Sequence, residues 1–181
     1  MSVKRGALSD QRGITLVELM VASAVLGMVV LVASSLYAFG ASTFRLGESQ
    51  AWLQANMDTA LRSIVSRVRN ATELQVMTST PGAFDSGWYY IYLKDPSAET
   101  TSVQLRSPGG SAVAITDDLV QGEDGLRFHA RLVEDDILLD ISLQGSYRSR
   151  TRQSSVTILL GNLTSLPPNT SGAAVRFRLP G

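Results

Sequence analysis

The chain has 181 residues, with 16 basic and 16 acidic side chains, one His and no Cys. Those counts suit one modest domain and exclude a disulfide-stapled scaffold and a thiolate metal site. Apolar residues make up 44% and charged ones 18%, which argues against a disordered tail and, with no long basic block, against an electrostatic binder of DNA.

Charge is distributed unevenly along the chain. Residues 1–13, MSVKRGALSDQRG, carry Lys4, Arg5 and Arg12 against Asp10. Basic residues beside a first apolar segment are held on the cytoplasmic side, so the rest of the chain is expected to face outward. The 28 residues of 14–41 contain a single charge, Glu18. As a helix that run is roughly 42 Å long at about 1.5 Å per residue, more than the ~30 Å hydrocarbon core requires. A carboxylate within it costs on the order of 2.5–3.5 kcal/mol on insertion scales. Five residues into the run, Glu18 relieves part of that cost by reaching toward the interface, and it still calls for a partner. Removal of the leader after Gly13 creates one, because the new α-amine of Ile14 is a cation at neutral pH.

The stretch Arg12-Gly13-Ile14-Thr15-Leu16-Val17-Glu18-Leu19 closely resembles the class III signal of type IV pilins and pseudopilins. The resemblance implies that a prepilin peptidase cleaves after Gly13 and N-methylates Ile14. It makes Glu18 the conventional glutamate at the fifth mature position, which faces the N-terminal amine of another subunit. Ile14 departs from the Phe most often found there. Two plainer readings compete. A secretory signal cleaved at Ala22-Ser23-Ala24 leaves a second apolar stretch, 25–32, on the mature protein and puts Glu18 inside the signal core. A simple single-span anchor leaves Glu18 and its Gly-Ile-Thr-Leu context unexplained.

After Ala41 the pattern becomes amphipathic. Leu46, Leu53, Met57, Ala60, Leu61, Ile64, Val65 and Val68 fall on one side of a helix, with Arg45, Glu48, Gln54, Asp58, Arg62, Ser66 and Arg69 opposite. Asn70 and Thr72 are poor helix formers and Thr80-Pro81-Gly82 is a breaker, so the helix is expected to end between 70 and 74. A helix over 14–70 is roughly 85 Å long. Only its second half can pack on the remaining residues; its first half must be solvated by lipid or by copies of itself. Gly27 and the small residues Ala22, Ser23, Ala24, Ala33, Ser34 and Ser35 allow close helix approach. Major pilins carry a Pro near the twenty-second mature position, where this chain has Ser35, and no Pro occurs before Val76. That favours a pseudopilin or low-copy minor pilin with a straight anchor.

From Trp88 the period shortens to two. Residues 88–93 are rich in β-formers, and Val103, Leu105, Val113 and Ile115 alternate with polar residues. The clearest hairpin sets Leu126, Phe128, Ala130 and Leu132 against Ile137, Leu139, Ile141 and Leu143, with Glu134-Asp135-Asp136 as the turn. Further strands are expected over 155–160 and 174–179. The predicted fold is α+β and pilin-like, a long N-terminal helix packed on a small antiparallel sheet. Its parts are a leader (1–13), a membrane and filament-core segment (14–41), an amphipathic helical half (42–74) and a globular β domain (75–181). The Arg-rich helix end at Arg62, Arg67 and Arg69 and the late hairpin are most similar to PilW-type or type J minor subunits.

Catalysis has little support. His129 is expected on a polar face between Arg127 and Arg131, and no G-x-S-x-G, H-E-x-x-H or P-loop spacing occurs. The acids Asp117, Asp118, Glu123 and Asp124 form an oxygen-rich stretch of the kind calcium takes, but without EF-hand spacing. An acidic surface loop is the plainer reading, and neither a metal nor a cofactor is assigned. Arg148, Arg150 and Arg152 alternate and are expected to share one strand face near exposed aromatics at 88–92, a pattern that DNA contacts use. Loss of residues 1–13 leaves 13 basic against 15 acidic residues, a poor background for nucleic acid. The expected function is a non-enzymatic minor filament subunit, priming or capping a pilus or pseudopilus. The alternatives are a type II secretion pseudopilin and a DNA-capturing competence pilin. Expected partners are other pilin subunits, the prepilin peptidase and the inner-membrane assembly platform. The expected location is the cytoplasmic membrane, with the C-terminal domain outside.

Overall fold

A computed structural model describes residues 14–148 and 150–180. Helix α1 spans Leu16–Val68 and is followed by eleven strands. These are β1 (Glu73–Met77), β2 (Tyr89–Leu93), β3 (Thr100–Thr101), β4 (Val103–Arg106), β5 (Ala112–Ala114), β6 (Val120–Gln121), β7 (Leu126–Val133), β8 (Asp136–Tyr147), β9 (Arg150–Leu159), β10 (Ser171–Gly172) and β11 (Ala174–Arg178). The chain divides into two compact units, Met1–Leu46 and Gly47–Gly181. Within the first, helical side chains such as Val21, Leu26 and Val30 lie open to their surroundings. An 18-residue window of α1 has a mean hydropathy of 2.5 and no buried residue, the profile of a segment made for lipid or for neighbouring helices.

In the second unit the strands form two antiparallel sheets rather than the single small one expected. One has five strands in the order β1-β11-β2-β4-β5, and the other has six, β10-β7-β8-β6-β3 with β9 on the far side of β8. The helical half contributes Leu53, Met57, Ala60, Leu61, Ile64 and Val68 to a core shared with both sheets. The stripe departs from expectation at one end, where Leu46 is 47% exposed and the buried position falls to Ser49. The helix stops at Val68, short of the expected 70–74, and residues 73–77 are already strand. Ala71 is fully buried and the Thr72 amide donates to the Arg178 carbonyl, so sheet pairing takes over where Asn70 and Thr72 weaken the helix.

The β7–β8 hairpin matches its alternation. Leu126, Phe128 and Ala130 face inward opposite Leu143, Ile141 and Leu139. Leu132, expected inside, is 53% exposed because the hairpin tip extends beyond the core. Asp136 pairs with Val133, so the turn is the two residues Glu134-Asp135 rather than three, with Glu134 at φ 57°. At Gly145 a side chain of α1 packs directly against β8. A Cβ there stands 2.8 Å from Met57 Sδ and 3.1 Å from Leu119 Cδ1. Gly145→Ala is therefore expected to cost about 1–3 kcal/mol through overpacking, read as a lower urea midpoint for the full chain in detergent.

Candidate assembly site

The start of α1 is organised by two residues. The Thr15 amide donates to Glu18 Oε2 at 3.2 Å, and the Glu18 amide donates to Thr15 Oγ1, also at 3.2 Å. The Thr15 hydroxyl adds a third bond to the same carboxylate oxygen at 3.2 Å. This is a capping box: Thr15 is the N-cap of a helix beginning at Leu16, and Glu18 is the third helical residue. The carboxylate also lies in the first turn, where the helix dipole favours negative charge. Thus Glu18, costly in an apolar run, satisfies the Thr15 amide, while Thr15 Oγ1 satisfies the Glu18 amide that the helix end leaves open. The cap is signalled in the sequence by the T-x-x-E spacing of Thr15 and Glu18 ahead of an apolar run, beyond their place in the family motif.

Ile14 and Leu16, beside this cap, are 76% and 75% exposed. Gly13, the expected cleavage residue, lies outside the described residues, as do the basic residues of 1–13. Among described residues, then, the site holds Ile14 next to a capped, charged helix start that is apolar on every side.

The remaining candidates lie apart from it. His129 is exposed on β7 between Arg127 and Arg131 as expected, and the register sets it opposite Asp140. Burial pushes the Asp140 carboxyl up, but hydrogen bonds from Thr157 at 2.5 Å and Arg131 at 2.9 Å, with the Arg131 and His129 charges, outweigh it and hold the group below the usual carboxylate range. A depressed folded-state pKa stabilises the fold at neutral pH, and that contribution fades as the pH falls through the carboxylate range. The drop in Tm between about pH 6 and about pH 3 is therefore expected to be smaller for Asp140→Asn than for the parent chain.

In the acidic stretch Asp124 pairs with Arg127. Among the described residues no three His, Cys, Asp or Glu side chains gather as a metal group. The expected basic and aromatic face is not formed. Trp88, Tyr90 and Tyr92 are 7%, 1% and 8% exposed, with Arg176 and Arg178 laid over Trp88 at 4.6 and 4.4 Å. Tyr90 and Tyr92 are on β2 of the five-stranded sheet and Trp88 directly precedes it, whereas Arg150 and Arg152 are on β9 of the other sheet. Arg148 leaves the strand for the β8–β9 turn, at φ 48°.

Comparison with known proteins agrees with the helix start. Residues 8–34 match the family model described as the prokaryotic N-terminal methylation motif. No curated protein and no solved structure matches the chain significantly. The match spans Gly13, Ile14, Thr15 and Glu18, and it opens a long apolar helix followed by antiparallel sheets. That class III prepilin signal, with this α+β architecture, supports the type IV pilin and pseudopilin family as the one the chain resembles.

Proposed function

We propose that the protein is a minor subunit of a type IV pilus or pseudopilus, without enzymatic activity, that primes or caps the filament. The observation that carries this reading is the uninterrupted α1 from Leu16 to Val68, with Ser35 where major pilins have a Pro. The helix interior keeps all its hydrogen bonds in the absence of that residue. The cycle is associative: lipid stores the subunit, processing after Gly13 frees the Ile14 amine, and pairing of that amine with a neighbour's Glu18 offsets the loss of lipid contacts. The assembly platform and the prepilin peptidase act on the chain from the cytoplasmic membrane, and its domain faces outward.

The test is quantitative mass spectrometry of sheared filaments and of native membranes, with and without the gene. The expected result is a chain beginning at N-methylated Ile14, present as a small fraction of filament subunits, and few filaments when it is deleted. Abundance equal to that of the main subunit refutes a minor role. A chain still beginning at Met1, or cut near Ala24, refutes filament assembly altogether.

A further inference from the structure

The six-stranded sheet ends in an open edge. β9 runs beside β8 through ten consecutive residue pairs, from Tyr147 with Arg150 to Leu138 with Leu159, and among the described residues no other strand pairs with it. Alternate residues of an antiparallel strand bond to one neighbour, and those between them aim their amide and carbonyl at the other side. The Leu160 amide donates to the Ile137 carbonyl at 2.9 Å, so in this register the even-numbered residues of β9 bond to β8. On β8 itself Gln144 and Ser146 donate away from β9, to the Gly125 and Leu119 carbonyls, which agrees with that phase. The backbone groups of Thr151, Gln153, Ser155, Thr157 and Leu159 therefore point outward from the sheet, and all five residues are exposed.

Strand edges are usually guarded by shortness, Pro, bulges or charge. Here the pairing is unbroken for roughly 33 Å, at about 3.3 Å per residue, and residues 153–159 contain no Pro, no Gly and no charge. The core-facing side is incomplete along the same edge, since Ile158 is buried but Val156 and Ser154 are only half-buried. Charge enters at the start of the strand, and there it is unanswered. Arg150 and Arg152 are exposed, and neither has an ion-pair partner among the described residues. With Gly47, Gln50 and Gln54 they line a groove of about 550 Å³ that contains no carboxylate. Directly opposed residues share a face, and Arg152 is opposite Gly145, which Met57 covers. Both guanidinium groups thus stand on the same side of the strand as Val156 and Ile158.

We propose that β9 is a docking edge for an extended segment of another protein, which adds to the six-stranded sheet antiparallel to β9, with apolar side chains over Ile158 and Val156 and acidic ones beside Arg152 and Arg150. Free amides and carbonyls at every second residue select an extended backbone, and antiparallel pairing is the more stable per residue. The two guanidinium groups select carboxylates, which they hold in bidentate geometry. A second copy of β9 fits worse. Laid antiparallel it brings no carboxylate to the arginines, and laid parallel it sets arginine beside arginine. The proposal rests on the edge of this sheet and not on the chain's place in a filament, so its failure leaves that reading intact.

The probe is the fluorescein-labelled peptide TVTVTVTETE, which in the antiparallel register sets Val opposite Ile158, Val156 and Ser154 and Glu opposite Arg152 and Arg150. It is titrated with the full chain in detergent micelles and followed by anisotropy, with protein-free micelles as the blank. Saturable binding is expected, with added protection from hydrogen exchange at the amides of Thr151, Gln153, Ser155, Thr157 and Leu159. Three changes are each expected to weaken it at least about tenfold. They are Lys in place of both Glu residues of the peptide, N-methylation of its fifth residue, which removes a donor facing Ser155, and Arg150→Glu with Arg152→Glu at unchanged far-UV circular dichroism. The Lys peptide is expected to prefer the charge-reversed protein to the parent. Absence of saturable binding, or equal affinity for the N-methylated and unmodified peptides, overturns the proposal. Equal affinity for the Glu and Lys peptides overturns an acidic partner. Dimerisation of the chain in micelles that Ser155→Pro abolishes assigns the edge to a second copy and also overturns the proposal.

Discussion

Full-length protein carrying Glu18→Gln is expected to reach the membrane at the parental level and to enter filaments at least about tenfold less often. Gln preserves the capping geometry, since its amide oxygen can accept from the Thr15 amide as Glu18 Oε2 does. What it removes is the negative charge. A charge-assisted hydrogen bond contributes about 1.5–3 kcal/mol, against about 0.5–1.5 for a neutral one, and the difference grows away from water. Glu18→Ala removes both cap and charge and is expected to show the same assembly defect plus fraying of the first helical turn. Quantifying each variant in membranes and in sheared filaments separates the two roles. Parental incorporation of the Gln variant alone reduces Glu18 to a cap and ends the charge-pairing account. Parental incorporation of both removes Glu18 from assembly.

Phe128→Ala is expected to destabilise the globular unit by about 3–5 kcal/mol, a large part of the roughly 5–15 kcal/mol that holds a typical domain folded. Phe128 is fully buried on β7, opposite Ile141, within the core that Leu53, Met57 and Ile64 close from the helix side. Truncation leaves a cavity between elements that are each fixed by pairing elsewhere, so collapse around it is restricted. Leu132→Ala on the same strand is the control. With Leu132 53% exposed, its expected effect stays within about 0.5 kcal/mol. Urea unfolding of the full chain in detergent, followed by Trp88 fluorescence, measures both. Equal losses at the two positions contradict the inward register of β7.

The helix and the β7–β8 hairpin were legible because each carries its own period. Leu53 to Val68 repeats at helical spacing, and Leu126 to Leu143 alternates across a short turn, so local pattern and final burial agree. The division into two sheets was not legible, since membership is set by partners far apart in the chain, such as Glu73 with Arg178 in the five-stranded sheet. The strands β3, β6 and β10 are two residues each and have no periodicity to read. At 88–92 the aromatic run was read as exposed, because sequence does not reveal that Arg106, Arg176 and Arg178 would lie over Phe84 and Trp88. A guanidinium can cover a ring while keeping contact with water. At the helix start Glu18 stands out as the one charge in an apolar run, but its part in a cap with Thr15 does not, because the family motif already accounts for it.

The position of β11 governs when this subunit can exist at all. That strand is inserted between β1, which directly follows the helix, and β2, so residues 73–77 and 89–91 meet only through residues 174–178. During synthesis these central residues emerge after every other strand of the domain. Until they arrive, β1 and β2 present unpaired edges and Phe177 is missing from the core. The five-stranded sheet therefore closes only once β11 is available, rather than progressively as β1 and β2 emerge. A chain that lacks β11 would keep its apolar helix yet leave β1 and β2 open to proteases and chaperones, so the fold itself makes the domain's protection depend on its last strand.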